Sequence, residues 1–150
     1  MSNAQLGRLL SAALCFSVSL VSLLMAAKGL SAREWLPFHQ ASAAADRDSL
    51  PPRVQRVLLF LVRATALAFL TVGLLLVGVP VYLVWHPDPV VSLEVIGVGV
   101  VYCGALGILT RWLHRETGAR TPWRESFGAA GSLLLAAVLT LARGRRHRRS

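Results

Sequence analysis

The side chains best able to do chemistry in this chain are four histidines, two cysteines and seven carboxylates, and their positions decide which reactions are open to it. A haem needs axial ligands, most simply two histidines facing each other from neighbouring helices. His39, His86, His114 and His147 all lie outside or at the edge of long apolar runs. Alternating spans put His39 and His114 on one membrane side and His86 and His147 on the other. Proton-coupled transport needs an ionisable group deep in the membrane, held there at a cost of several kcal/mol. Here Glu94 falls in the first turn of the third run and Arg63 near the opposite interface. Glu94 therefore reads as a carboxylate favoured by a helix N-terminus. Cys15 and Cys103 differ in depth by several ångströms at ~1.5 Å per residue, which separates them too far for a disulfide. HExxH, paired CxxC, a glycine-rich phosphate loop and GxSxG are all missing from the sequence, so the corresponding hydrolase, redox and nucleotide chemistries lack their first requirement. No cofactor, metal or catalytic residue is expected, and the reading leans away from an enzyme.

Those residues hang on four apolar runs, at about Leu9–Ala27, Val57–Trp85, Val90–Trp112 and Ser126–Ala142. A helix needs roughly 20 apolar residues to cross a ~30 Å hydrocarbon layer. The charged fraction of 15% is well below the ~25% of soluble domains. The expected fold is an all-α integral membrane four-helix bundle with short loops, one domain over 1–150. Its spans are 9–27, 64–85, 92–112 and 126–142, followed by a basic tail at 143–150. The formal charge is +9, and the arginines flank the spans, where anionic lipid head groups meet them. Nucleic acid is not an expected partner, and the tail reads as a stop-transfer flank. The first run is longer than a cleavable signal and ends at Lys28 without a small-x-small site, so it is read as retained.

Local signals set the ends of these elements. Lys28-Gly29 suits a helix C-terminus, and Ser31-Ala32-Arg33-Glu34 has capping-box spacing, predicting a short interfacial helix with Trp35 and Phe38 at head-group level. Pro51-Pro52 opens the second helix, whose Arg53, Arg56 and Arg63 share a face within ~80°. Pro80 predicts a kink near that helix's end. Trp85-His86-Pro87-Asp88-Pro89 predicts a tight turn that makes the second and third spans adjacent and antiparallel. Thr121-Pro122-Trp123 supplies an N-cap, a first-turn proline and an interfacial aromatic to the fourth.

Burying apolar surface gains little inside lipid, so small residues at helical spacing become the packing device. Gly99, Cys103 and Gly107 form such a row on the third helix. Gly128, Ser132, Ala136 and Thr140 form one on the fourth, and Ser11, Cys15 and Ser19 one on the first. These rows could hold the bundle together, pair it with a second copy, or pair it with another membrane protein. Orientation is not fixed by the positive-inside rule, because six basic residues flank the side of the termini and nine the loop side.

At Leu36-Pro37-Phe38-His39-Gln40-Ala41, Leu50-Pro51-Pro52-Arg53-Val54-Gln55 and Thr121-Pro122-Trp123 the chain resembles a family of uncharacterised small four-transmembrane-helix proteins of the bacterial inner membrane. That resemblance implies a location and an order of spans, and it imports no activity. The expected function is a non-enzymatic multi-pass accessory or assembly protein that works by helix packing. The alternative is a transporter, lipid-binding protein or membrane enzyme with a loop-side site. There His39, Arg53, Arg56, His114, Arg115 and Trp123 would converge on an anionic lipid or metabolite.

Overall fold

The computed structural model describes residues 3–33, 40–41, 50–85 and 90–147, with side-chain surroundings given between Gln5 and Ala142 except at Val84. Four helices account for almost all of it: α1 (Asn3–Leu30), α2 (Pro52–Trp85), α3 (Val90–Thr117) and α4 (Trp123–His147). Each is long and apolar enough to cross a membrane, and no strand occurs among the described residues. The helices overrun the apolar runs at most ends, because hydropathy marks the lipid-length stretch while helix propensity continues into Arg, Glu and Leu residues that water also tolerates. Thus α3 continues past Trp112 to Thr117, where Gly118 stops it in a left-handed conformation (φ 68°) with its N–H on the His114 carbonyl. The backbone of α4 likewise runs helically to His147, into the segment expected to be a tail. Pro80 lies inside α2, which stays helical to Trp85.

The four helices form a ring in chain order. α1 packs most extensively on α2, α3 on α4, and α4 closes against α1; α2 and α3 are neighbours but touch least. α1 and α2 run antiparallel, and so do α3 and α4, as paired cross-contacts show. Gly29 meets Ala66 while Gly73 meets Leu23 across α1 and α2. Gly99 meets Leu133 while Gly107 meets Phe127 across α3 and α4. Phe69 and Tyr102 stack edge to face at 5.5 Å across α2 and α3.

Gly29 shows how the sequence works here. The sequence expects a helix end at Lys28-Gly29, and α1 does end one residue on at Leu30; a Cβ at Gly29 would, besides, lie 2.7 Å from the Ala66 Cβ. The missing side chain is used for close approach of two backbones, the recurring device of helix pairs that cannot rely on apolar burial.

Large and small side chains are distributed inside out compared with a water-soluble domain. Leu24, Phe60, Val101, Ile108 and Val138 are each at least 60% exposed, whereas Ser11, Cys15, Ser19, Ala26 and Ala136 are at most 1% exposed. Taking ~1.5 Å per residue, Arg63 to Trp85, Arg111 to Val90 and Trp123 to Arg143 are each roughly 30 to 33 Å, matching a hydrocarbon thickness. Arg63 marks the level of one end, since its Nη2 donates a long 3.4 Å hydrogen bond to the Ala32 carbonyl just beyond α1. The opening turns of α2, ahead of Val62, therefore stand beyond the end of α1.

The interfacial helix expected around Ser31–Phe38 and the Trp85–Pro89 turn fall largely outside the described residues, as do the side chains of the arginine tail.

Candidate functional site

Two regions gather the residues that the sequence singles out. The first is the packed interior. Gly99, Cys103 and Gly107 all lie on the buried side of α3. A Cβ at Gly99 would sit 2.9 Å from Leu133 Cδ1 and 3.4 Å from Leu76 Cδ2, and one at Gly107 3.1 Å from the Phe127 ring. These glycines therefore close the bundle on itself. The row on α4 divides: Ala136 and Thr140 are buried and Ser132 is half-buried, while Gly128 is exposed with nothing within 4 Å of its Cβ direction. The buried line of α4 is instead Ser126, Ala130, Leu133, Ala136 and Thr140, which mixes steps of three and four as a 3.6-residue repeat requires.

The row on α1 carries hydroxyl groups that tie helices together. Ser19 Oγ donates to the Gly73 carbonyl of α2 at 2.8 Å. Ser11 Oγ reaches α4, donating to the Ala136 carbonyl at 3.1 Å and lying 2.9 Å from Thr140 Oγ1. The Thr140 hydroxyl also donates back to Ala136, so one carbonyl serves two helices. Each such bond between helices in a membrane setting contributes ~0.6 kcal/mol on average. Cys15 and Cys103 are free and buried.

The second region is the end where α3 turns into α4. Trp123 is its centre: the Arg124 guanidinium lies 5.1 Å and the Arg111 guanidinium 5.7 Å from its ring centroid. His114 sits 6.4 Å away at a tilt of 33°, and Phe127 packs edge to face at 6.3 Å. Short turn bonds hold the cluster. His114 Nδ1 is 2.7 Å from the Ala119 carbonyl. Thr121 Oγ1 donates to the Thr110 carbonyl at 2.7 Å, tying the turn to α3 where the sequence predicts an N-cap. Guanidinium–indole contacts of this kind are worth ~0.5 to 1 kcal/mol at exposed sites.

The structure thus brings His114 and Trp123 together and adds Arg111 and Arg124, which sequence reasoning passed over although each adjoins a tryptophan. Arg115 is exposed on α3, and Arg53 and Arg56 are exposed on the projecting start of α2. His39 lies outside the described residues, so its pairing with His114 is not placed. Among the described residues no three His, Cys, Asp or Glu side chains come together as a metal-holding group.

No family model matches this chain, and no curated protein or solved structure matches it either.

Proposed function

We propose that this chain is a non-enzymatic, multi-pass membrane protein, of the bacterial inner-membrane kind its loops resemble, whose activity is to pack against other helices as an accessory or assembly factor. One observation carries the proposal: the polar side chains buried among the described residues are serines, threonines and the phenol of Tyr102, and no carboxylate, histidine, lysine or arginine is buried among them. An ion-coupled carrier or a membrane hydrolase would spend buried charged groups on its substrate despite their cost, whereas the buried hydroxyls of Ser11 and Ser19 go to carbonyls of neighbouring helices and serve packing. The exposed apolar skin gives lipid its contact surface, and the basic residues at the rims meet anionic head groups.

The glycines that would serve an outside partner are the open ones. A Cβ at Gly97, Gly104, Gly128 or Gly131 meets nothing within 4 Å, in contrast to Gly99 and Gly107. Replacing Gly97 and Gly104 together by Leu should leave the isolated bundle folded and abolish the complex that co-purifies with the native chain in mild detergent. An unchanged set of partners and an unchanged oligomeric state would reject the reading.

The cluster around Trp123 favours a second reading, recognition of an anionic lipid head group or metabolite at the loop side by Arg111 and Arg124. Arg111→Gln with Arg124→Gln should then reduce the phosphatidylglycerol retained on the purified protein, as counted by native mass spectrometry. Equal retention would remove that reading.

A further inference from the structure

Between α2 and α3, toward the ends at Trp85 and Val90, the seam opens into a groove of about 270 Å³. Leu75, Gly78 and Val79 line it from α2, and Val91, Ser92 and Val95 from α3. Leu75 and Val91 are exposed at its rim, while Val79 and Ser92 are buried at its floor. Gly78 keeps it open, since a Cβ there would meet nothing within 4 Å. The groove therefore faces outward, away from the centre of the ring.

Ser92 and Tyr82 bring the hydroxyl groups to this otherwise apolar space. Six serine and threonine side chains are buried among the described residues. Five of them donate to a backbone carbonyl: Ser11, Ser19, Ser22, Ser126 and Thr140. Ser92 is the exception, 1% exposed and with no hydrogen-bond partner for its Oγ. It is the third residue of α3, in the first turn, where the helix itself has no residue four places back to accept from it. Buried hydroxyls in native proteins are satisfied as a rule, and an orphan points to a partner supplied from outside.

We propose that this groove binds one acyl chain of a glycerolipid, with the chain's ester carbonyl accepting a hydrogen bond from the Ser92 hydroxyl. The proposal rests on the chain being a membrane protein. Three features select this occupant. A cavity of ~150 Å³ holds a benzene ring, so about 270 Å³ has room for roughly ten carbon atoms, the size of a chain segment. A helix with its side chains is about 10 Å across and does not fit, which argues against a second copy. Finally, Ser92 lies only ~3 Å along the helix from Val90, at the margin of the apolar layer, where a glycerolipid places its ester groups. A carbonyl there supplies the acceptor that the hydroxyl lacks, and the chain below it fills the apolar walls.

The test uses the full chain reconstituted into phosphatidylcholine vesicles, with a trace of the same lipid carrying a photoreactive diazirine on one chain, ester-linked or ether-linked. Cross-linked peptides are mapped by mass spectrometry. The ester lipid should label the groove about five-fold more than the ether lipid, the worth of one neutral hydrogen bond, and Ser92→Ala should erase that preference. Gly78→Phe should cut groove labelling at least tenfold with helix content and elution unchanged. Equal labelling by ester and ether lipids on the unaltered chain, labelling spread evenly over all exposed helix faces, or cross-links joining two copies at the groove would each overturn the proposal. Failure of the chain to float with the vesicles would instead overturn the membrane reading beneath it.

Discussion

Replacing Gly73 by Ala should separate α1 from α2, and the size of the effect follows from the geometry. The new Cβ would lie 2.8 Å from Leu23 Cδ2, 2.9 Å from Leu23 Cγ and 3.3 Å from the Leu23 backbone nitrogen. Carbon atoms pack at ~3.5 to 4.0 Å, so the shortfall is about 1 Å. A rotamer change moves Cδ2 easily, but Cγ and the backbone nitrogen yield only if the helices part. Overpacking of this kind costs ~1 to 3 kcal/mol. Parting also stretches the Ser19 bond to the Gly73 carbonyl, worth ~0.6 kcal/mol, while alanine returns about 1 kcal/mol of helix propensity.

Gly78→Ala on the same helix gains the same propensity with nothing to strike, so the comparison cancels that contribution. Gly73→Ala should be less stable than Gly78→Ala by about 1.5 to 3.5 kcal/mol, the sum of overpacking and lost bond. Reversible unfolding in mixed micelles, titrated with sodium dodecyl sulfate and followed by circular dichroism, measures the difference. Leu23→Ala in the Gly73→Ala background should recover part of the loss by removing the struck atoms. Equal stability of the two glycine variants, or no recovery on truncating Leu23, would refute the account of how α1 and α2 are held.

Three further outcomes are expected. A double-mutant cycle on Ser11→Ala and Thr140→Val should give a coupling of ~0.6 kcal/mol, and no more than ~1.7; additive effects would show that the two hydroxyls, 2.9 Å apart, do not hold each other. Cys15 and Cys103, buried and free, should resist a membrane-permeant maleimide in the folded protein and both react after denaturation; rapid labelling of either in the folded state contradicts the packing. Reporters inserted near Ser42 and fused after Ser150 should be found on opposite sides of the membrane, and a shared side would exclude four spans.

The four helices were legible because lipid-length apolar runs are a signal that few other structures produce, and the row Gly99, Cys103, Gly107 was legible because its spacing of four stays on one helix face for two turns. The row Gly128, Ser132, Ala136 shows the limit of that rule. Over two steps of four the face drifts by roughly 80° against a 3.6-residue repeat, and where the neighbouring helices fall decides whether both ends stay inside: Gly128 is outside while Ala136 is inside. Gly29 was rightly read as lying at the end of α1, but its close approach to Ala66 was not legible because sequence alone does not reveal the methyl opposite it. The Trp123 cluster was half legible: His114 and Trp123 were singled out by type, whereas Arg111 reaches the ring only through the α3–α4 turn and Arg124 beside Trp123 was passed over. Ser92 carried no signal at all, since its significance lies in a partner it lacks.

The bond that closes the ring joins α1 to α4. Ser11 is made 125 and 129 residues ahead of its partners Ala136 and Thr140. Until α4 emerges, then, this hydroxyl has no native partner, and α1 can settle on α2 but not on α4. Closure waits for the fourth helix. A ribosome that stops short of α4 releases a three-helix product with an open flank and an unsatisfied serine, which is the kind of surface that quality-control machinery recognises.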